Sequence, residues 1–382
     1  MKRKILFITE RRADYSRLKP IMKAVQKSSQ LEMQLVVTGM HLLKKFGETK
    51  KNIIKDGFKI DEIVPIFSEK DRDDGASMVR GMGKALIAYS DIFAKLKPAV
   101  VFSGFDIGAN FAAGIAGMHM NIVVSHIQGG EVSGTVDEVI RHAMTKFSHI
   151  HFAATEKSAK RIIKLGEDPK YVFNVGSPSL DTIHNIDYPT KEEMAKKYNF
   201  DPEKPLIIVL QHPVTTEVDQ VVSQIKKTVD AVSEVNKKHT SQALAVYSNN
   251  DAGGHRIVEH LKKSGITAYP HIAYEDFLRL MKVASVLVGN SSAGIHEAPS
   301  LKLPTVNIGT REQLRERGEN VIDVDYDKAE IVRAIEKGMF DGKFRKKVER
   351  ATNPYDNGNT AEQVVKILET IELPPIQKVI TY

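Results

Sequence analysis

The segment 126–131 places a histidine, an amide, two glycines and a carboxylate immediately after the apolar run 122–124. Asp137, Glu138, Arg141 and His142 follow it. Such side chains exchange protons and bind sugars or phosphates, and α/β proteins usually bind ligands at the carboxyl end of a strand. Because Gly129 and Gly130 permit close approach to the backbone, we expect a site at this corner. A plain strand-to-helix turn with solvated charges is the alternative.

A second candidate site follows the first predicted strand, at Arg12 and Ser16. They lie where the next helix begins, and helix N-termini favour phosphate through free backbone N–H groups and a partial positive charge. The stretch lacks the glycine triplet of a dinucleotide fingerprint. This difference disfavours NAD and FAD as ligands.

A third candidate site lies in the run 288–299, where a strand ends and a helix opens on Ser291 and Ser292. A serine at this place can cap the helix and donate its hydroxyl to a diphosphate, and Glu297 can accept from two ribose hydroxyls. Arg311 adds a cation on the same side of the sheet. An ordinary serine cap with an exposed glutamate is the alternative.

Short apolar runs alternate with helical stretches, a pattern typical of parallel sheets covered by helices. The runs are 5–9, 33–38, 100–103, 122–126, 151–154 and 172–175 in the first half, and 206–211, 244–247, 284–288, 305–308 and 321–324 in the second. They predict two Rossmann-like, doubly wound α/β domains with a ligand cleft between them.

Turn-forming residues at 176–179 place a hinge near 176–190, about which we expect the domains to close. The predicted domains are therefore 1–180 and 181–360. A C-terminal helix and tail, 361–382, should pack across them, since Val364, Val365, Leu368 and Ile371 have helical spacing.

Composition limits the possible functions. The absence of cysteine excludes disulfides, zinc–thiolate sites, iron–sulfur clusters and thiol nucleophiles. The net charge of +7 suits an anionic partner, but acids are mixed with lysines throughout, which favours a small phosphorylated ligand over nucleic acid. No apolar run reaches the roughly 18 residues of a membrane span, so a cytoplasmic protein is expected. No metal-binding cluster is evident, and no cofactor is expected.

The chain resembles the hydrolysing UDP-N-acetylglucosamine 2-epimerases, the sialic- and legionaminic-acid pathway branch of a family with the two-domain GT-B fold. The matching residues are 12–16, 126–137, 141–143, 176–178, 212–213, 289–292, 297 and 309–311. They span both predicted domains at family-like spacing. The resemblance implies a GT-B-like fold, a nucleotide-sugar substrate and a homodimer.

The family reaction eliminates UDP to leave a 2-acetamidoglucal, then adds water with inversion at C2, releasing N-acetylmannosamine and UDP. By resemblance, Arg12, Ser16, Ser291, Ser292, Glu297 and Arg311 hold the UDP, His212 and Asn249 face the diphosphate or sugar, and Asp106, Gln128 and Asp137 surround the sugar ring. Removal of the C2 proton requires a carboxylate, for which Asp106, Glu131 and Asp137 are candidates. Arg12, Arg311 and His212 can stabilise the leaving UDP.

The candidates also have structural interpretations. Asp106 can cap a helix, His212 can be a satisfied strand-end histidine, and Asp137 can complement a helix dipole. The resemblance favours function for Asp106 and His212. The resemblance does not decide between a functional and a structural role for Arg141 and His142.

The chain departs from the family pattern at three positions. Gln128 stands where the family usually has a glutamate, and a neutral amide cannot transfer a proton as a carboxylate can. Either Glu131 or Asp137 transfers the proton instead, or Gln128 only positions the substrate, or the chain is an inactive or engineered variant. We favour a natural subgroup in which the proton-transfer roles are reassigned.

Ile107 replaces a substrate-facing arginine, which leaves a UDP-2,4-diacetamido-trideoxy sugar or another nucleotide as alternative substrates. His296 also replaces an arginine.

The first hypothesis is therefore a hydrolysing nucleotide-sugar 2-epimerase of nonulosonic acid synthesis. One alternative is a non-hydrolysing epimerase that returns UDP-N-acetylmannosamine. Another is a nucleotide-sugar-binding protein that has lost catalysis. A GT-B glycosyltransferase is disfavoured because its acceptor would have to fit among many acidic groups, although fold alone does not exclude it.

Overall fold

The computed structural model describes residues 2–72, 74–105, 108–134, 137–248 and 252–381. The chain forms two compact units. The first comprises Met1–Glu131, Asp137–Asp181 and Asn357–Tyr382, and the second comprises Val132–Val136 and Thr182–Asp356. A short segment between residues 131 and 137 thus belongs to the second unit although the chain on either side belongs to the first.

The first unit is built on a parallel sheet. Its strands are β1 (Arg3–Thr9), β2 (Leu31–Thr38), β3 (Glu62–Val64), β4 (Val100–Gly104), β5 (Val123–Ile127), β6 (Ile150–Ala153) and β7 (Val172–Asn174). They pair in the order β3-β2-β1-β4-β5-β6-β7. The helices are α1 (Arg12–Lys27), α2 (Lys50–Lys55), α3 (Gly75–Leu96), α4 (Gly108–His119), α5 (Asp137–Phe147), α6 (Glu156–Lys164) and α7 (Pro178–Asn185), which crosses into the second unit.

Helices cover both faces of this sheet, so its central strands are buried on both sides. Along β1, Ile5 and Phe7 point into one core, while Leu6 and Ile8 point into another. This division follows from the period of two in a strand, and it explains why the strand is read as a continuous apolar run rather than an alternating one.

The second unit repeats this architecture with a smaller sheet. Its strands are β8 (Leu206–Leu210), β9 (Gln242–Val246), β10 (Thr267–Tyr269), β11 (Val286–Gly289), β12 (Thr305–Ile308) and β13 (Val321–Val324), paired in parallel in the order β10-β9-β8-β11-β12-β13. Its helices are α8 (Lys191–Tyr198), α9 (Val221–His239), α10 (Gly254–Lys263), α11 (Tyr274–Val283), α12 (Ala293–His296), α13 (Lys328–Phe340) and α14 (Gly342–Arg350).

The predicted class, two doubly wound α/β domains, is confirmed. Every strand predicted from an apolar run overlaps an observed strand. The sequence missed β3 and β10, which are three residues long and lie at sheet edges, where exposure on one side removes the apolar run. Within the described ranges, no helix is long and apolar enough to cross a membrane.

The chain returns to the first unit with α15 (Thr360–Thr370), whose buried Val364 and Leu368 confirm the predicted apolar face. The start of this helix is capped from α7, because the Asp181 carboxylate accepts from the backbone N–H of Thr360 at 2.9 Å and of Ala361 at 2.6 Å. These bonds satisfy donors that a helix N-terminus leaves without intrahelical partners.

A buried polar cluster lies at the carboxyl end of β1. The imidazole of His41 is hydrogen-bonded to the hydroxyl of Thr9 at 2.9 Å and to that of Thr49 at 2.7 Å. Burial, reinforced by the positive charge of Arg12, lowers the pKa of His41 from 6.5 to about 3. His41 is therefore neutral in the folded protein at neutral and mildly acidic pH.

His41 should make the first unit less stable in mild acid. The unfolded chain binds a proton at His41 as the pH falls below 6.5, whereas the folded chain does so only near pH 3. Stability is lost across that window, by about 2 kcal/mol between pH 7 and pH 5. Opening free energies of β1 from amide hydrogen exchange measure the loss, and it should be absent in His41→Gln. Equal losses in both proteins would contradict this assignment.

Candidate active site

The candidate residues that follow β1, β8 and β11 lie where the strand order of their sheet reverses. In the first unit, β1 has β2 on one side and β4 on the other; in the second, β8 lies between β9 and β11. Loops after such strands diverge and leave a crevice, the usual ligand site of open α/β sheets.

The candidates follow strands at these carboxyl edges. Arg12 and Ser16 follow β1, Gln128, Glu131 and Asp137 follow β5, His212 follows β8, Ser291, Ser292 and Glu297 follow β11, and Arg311 follows β12. Asp106 and Asn249, predicted to act near the sugar, lie outside the described residues.

The structure brings Gln128 and Glu131 together. Gln128 has a left-handed backbone, with φ of 58°, and its side-chain amide donates to the Glu131 carboxylate and to the Ser177 hydroxyl, each at 3.3 Å. Both Gln128 and Glu131 are about 95% buried. A buried carboxylate held by a neutral amide keeps its proton-transfer capacity, whereas a second carboxylate at position 128 would repel it.

Helix α5 supports the same corner. It begins at Asp137, and Arg141 from its second turn donates to the backbone carbonyl of Glu131 at 3.2 Å. Arg141 is almost fully buried and forms an ion pair with Glu138 at 3.4 Å. Arg141, whose role the sequence left undecided, therefore holds the loop that carries the Glu131 carboxylate.

Two glycines make this corner possible. A Cβ on Gly129 would lie 2.7 Å from the imidazole of His126, and one on Gly130 would lie 2.3 Å from the backbone oxygen of Ser158. Gly130 also has a φ of 74°, which other residues rarely adopt. Gly130 thus allows the loop to pack closely against α6, and Gly129 allows it to pack against His126, in addition to any approach by a ligand.

The loop after β1 is fixed by Asp14. Its carboxylate accepts from the backbone N–H of Glu10 at 2.8 Å and from those of Arg11 and Tyr15 at 2.9 Å. Beside it, burial lowers the pKa of Arg12. One buried guanidinium nitrogen of Arg12 has no hydrogen-bond partner among the described residues. A donor in this state suits an anionic ligand.

Glu10 bridges the two sides of the first crevice. It follows β1, and its carboxylate accepts from the backbone N–H of Ala109 at the start of α4, the helix after β4, at 2.9 Å. Its stem packs so closely on Gly39 that a Cβ there would lie 2.3 Å from it. No sequence pattern predicts this contact, because the two segments are far apart in the chain.

Asn290 plays the equivalent part in the second unit. Its side chain accepts from the backbone N–H of His212 at 2.7 Å and donates to the backbone carbonyl of His212 at 2.9 Å. The loops after β8 and β11 are therefore joined by a fully buried amide. Gly289 allows this approach, because a Cβ there would lie 2.1 Å from the backbone oxygen of Leu210.

Arg311 is anchored to the same loop. It donates to the backbone carbonyl of Asn290 at 3.1 Å and pairs with the buried Glu312 at 2.5 Å. Its own backbone carbonyl accepts from Gly134, in the segment Val132–Val136, at 3.1 Å. Arg311 therefore presents a positioned cation beside the loop after β11.

Glu297 has the features expected of a ligand acceptor. It is buried, and one carboxylate oxygen accepts from the Tyr274 hydroxyl at 3.2 Å. The other oxygen is buried without a hydrogen-bond partner in the described part of the chain. Because buried acceptors are rarely left unpaired, this oxygen suits a ligand hydroxyl. Nearby, the Ser291 hydroxyl accepts from the backbone N–H of Ala293 at 3.3 Å, whereas the N-cap residue of α12 is Ser292, whose side chain forms no capping hydrogen bond within the described residues.

Comparison with known proteins decides the family. The model of the UDP-N-acetylglucosamine 2-epimerase family matches residues 23–369. The chain is 37% identical over 379 residues to UDP-N,N'-diacetylbacillosamine 2-epimerase (hydrolyzing) of Legionella pneumophila, covering 98% of this chain and 97% of the relative. The chain belongs to the UDP-N-acetylglucosamine 2-epimerase family.

Two further members of the epimerase family extend the comparison. The UDP-N-acetylglucosamine 2-epimerase of Neisseria meningitidis serogroup B is 34% identical over 378 residues, covering 97% of this chain and 96% of that one. A crystal structure of the Methanocaldococcus jannaschii UDP-GlcNAc 2-epimerase with UDP-GlcNAc and UDP aligns with a TM-score of 0.79 at 22% identity, covering 96% and 99% of the chains. The predicted resemblance and the GT-B-like fold are confirmed.

Three residues of this epimerase-family site were not singled out from the sequence: Glu10, Ser177 and Asn290. Asn290 and Ser177 lie within the motifs that carried the resemblance, yet their partners are distant in sequence. A glycine followed by an amide at the end of a strand was the available signal for Asn290.

Replacing Asn290 by alanine should loosen the second unit. The variant removes both hydrogen bonds from the Asn290 side chain to the buried backbone of His212, which should cost about 2 kcal/mol. Hydrogen exchange of the His212 amide should accelerate accordingly. Asn236→Ala on α9 is the control, with no expected change at His212. Retained protection of the His212 amide in Asn290→Ala would show that the side chain does not hold this loop.

Proposed function

We propose that the chain is a hydrolysing nucleotide-sugar 2-epimerase, releasing free UDP and the 2-epimer of the sugar. The observation that carries the proposal is the buried Glu131 carboxylate held by the Gln128 amide at the carboxyl edge of the first sheet, in a chain of the 2-epimerase family. Cytoplasmic location, a homodimeric state and a place in nonulosonic acid synthesis stay predictions.

The second unit is proposed to bind the nucleotide. Ser291 and Ser292 open a helix after β11, where hydroxyls and backbone N–H groups suit a diphosphate. One carboxylate oxygen of Glu297, buried with no hydrogen-bond partner among the residues that the structure describes, suits the ribose hydroxyls, and Arg311 supplies positive charge. Asn249 is proposed to face the diphosphate or sugar, alongside His212.

The first unit is proposed to carry out the sugar chemistry. A carboxylate removes the C2 proton, the C1–oxygen bond to UDP breaks with its electron pair leaving on the phosphate, and a C1–C2 double bond forms. Water then adds its hydroxyl to C1, and a proton returns to C2 on the opposite face. Arg12 and Ser16 are proposed to stabilise the charge on the departing UDP.

Glu131 is the proposed base within this scheme, together with Asp106 and Asp137 as the acid–base candidates nearby in the sequence. Gln128 cannot accept the proton, but it donates to both Glu131 and Ser177. Its proposed role is to orient Glu131, which explains how a family glutamate can be replaced by an amide without loss of turnover.

The sugar is the least constrained part of the proposal. The two relatives act, by their names, on UDP-N,N'-diacetylbacillosamine and on UDP-N-acetylglucosamine. The first of these is the more similar to this chain, and Ile107 replaces a cation where the family has an arginine. A less polar 2,4-diacetamido-trideoxy sugar fits that replacement, so it is the preferred substrate in this proposal.

Proton NMR in D₂O tests the reaction directly. The purified protein is incubated with UDP-N-acetylglucosamine and, separately, with UDP-N,N'-diacetylbacillosamine. We expect free UDP to accumulate with a free 2-epimer that carries deuterium at C2, faster from the second substrate. Exchange at C2 follows because the proton is removed before water supplies the new one.

Other outcomes separate the alternatives. A UDP-linked epimer without free UDP would identify a non-hydrolysing epimerase. Saturable binding without turnover of either sugar would identify a binding protein that has lost catalysis, and either result would contradict the proposal.

Removing the acid–base group of Glu131 should abolish most turnover. Glu131→Gln keeps the size and the hydrogen bond of the side chain but cannot exchange a proton, so kcat should fall about 100- to 10,000-fold. UDP affinity, measured by calorimetry, should stay unchanged because Glu131 is not among its proposed ligands.

Glu138→Gln is the matched control, since it makes the same carboxylate-to-amide change at a nearby, partly exposed residue that forms ion pairs with Arg141 and His142. Its kcat should change little. An equal fall in both variants would assign Glu131 a structural role instead of proton transfer.

A further inference from the structure

The C-terminal tail, residues 372–381, follows α15 and folds back onto the first unit. At its start, Leu373 packs against the core and Pro374 is buried, but further along Val379 is 76% exposed and Ile380 is 53% exposed. Polar contacts hold this outer part of the tail. The backbone N–H of Thr381 donates to the carbonyl of Gly166 at 3.2 Å, and the main contact is made by Lys378.

Lys378 is inserted at the carboxyl end of α5. Its ammonium group donates to the backbone carbonyls of Thr145 at 3.3 Å and Lys146 at 3.1 Å, and to that of Ser148. It also pairs with the carboxylate of Glu167 at 2.5 Å. The last carbonyls of a helix lack intrahelical partners and carry partial negative charge, so a cation there stabilises the helix end.

Glu167 makes this a built site rather than a surface contact. It is almost fully buried, and besides Lys378 it is bonded to Lys146 at 2.6 Å and His151 at 3.1 Å. Burial alone would raise the pKa of Glu167, but these three partners lower it to about 2. The carboxylate is therefore ionised at neutral pH and gives Lys378 a fixed counter-charge.

His149 adds a second tie to the tail. Its Nδ1 accepts from the backbone N–H of Val124 at 3.1 Å, so its Nε2 carries the hydrogen and donates to the carbonyl of Ile376 at 3.2 Å. The tail is thus connected both to the end of α5 and to β5, the two elements that flank the candidate catalytic loop.

The opposite end of α5 carries the proposed chemistry. Asp137 is its first residue, and Arg141 holds the backbone of Glu131. The helix is 11 residues long, or about 16 Å. A short rigid helix transmits a displacement at one end to the other, so the position of its carboxyl end affects where Asp137 and Arg141 lie.

We propose that Lys378 is a positioning residue for the active site: by binding the carboxyl end of α5, the C-terminal tail fixes the helix that places Asp137 and, through Arg141, Glu131. Lys378 does not touch the substrate. The claim about turnover rests on the proposed function, whereas the claim about α5 stands on the contacts alone.

Lys378→Met tests the proposal, because it keeps much of the side-chain length and removes the charge and donors. Hydrogen exchange of the amides in the last turn of α5 should accelerate about tenfold. The kcat should fall about 10- to 100-fold, since small misplacements of catalytic groups are costly. UDP affinity should be unchanged. Unaltered exchange in α5, or unaltered kcat, would overturn the proposal.

Two further variants separate positioning from folding. Lys378→Arg keeps a cation with several donors, so it should restore most of the lost kcat and protection. Lys366→Met, at an exposed lysine of α15, should change neither. If Lys378→Met does not fold, a chain ending at residue 375 takes its place, and full activity in that folded protein would equally overturn the proposal.

Failure of the proposed function gives a different result. If the unaltered protein turns over neither nucleotide sugar, the hydrolysing-epimerase proposal fails, yet faster exchange in α5 of Lys378→Met would still establish that Lys378 fixes this helix. If the unaltered protein is active and Lys378→Met behaves like it, the positioning role of Lys378 is wrong and the proposed function stands.

Discussion

Both halves of the candidate site depend on the reversal of strand order in a parallel sheet. At a reversal, two neighbouring strands send their chains to opposite faces, and the crevice between them exposes backbone polar groups that the sheet no longer pairs. This protein satisfies such groups with one buried side chain in each unit. Glu10 binds the start of α4 in the first unit, and Asn290 binds the backbone of His212 in the second. These two bridges keep the crevices in fixed shapes.

The two units differ in the chemistry of their candidate residues. In the first, the buried carboxylate of Glu131 accepts from the side-chain amide of Gln128, and the Glu131 backbone carbonyl accepts from Arg141. In the second, one carboxylate oxygen of Glu297 is buried with no hydrogen-bond partner in the described part of the chain, and Arg311 is anchored by Glu312. The first arrangement has a group able to exchange a proton, and the second has groups able to bind hydroxyls and an anion.

The sequence could predict a large part of the fold, because the central strands are buried on both faces and therefore form continuous apolar runs. It missed β3 and β10 for the converse reason, since short edge strands need few apolar residues. Most of the candidate side chains could be chosen as well, because parallel strands bring their carboxyl ends to one edge. The roles of Ser177 and of Arg141 could not, since each depends on a partner supplied by another element.

The sequence by itself determined the class of fold, the family and the chemical types present at the site, because each is encoded in local runs, turns and motifs. Only the tertiary structure decided how those types are paired. The amide at Gln128 left several roles open when the sequence was considered alone, and only the fold pairs it with Glu131. In the sequence, Lys378 is one of many charged residues, and only the fold places it at the carboxyl end of α5. Hydrogen bonds and ion pairs act over about 3 Å in space, and sequence separation carries little information about such distances.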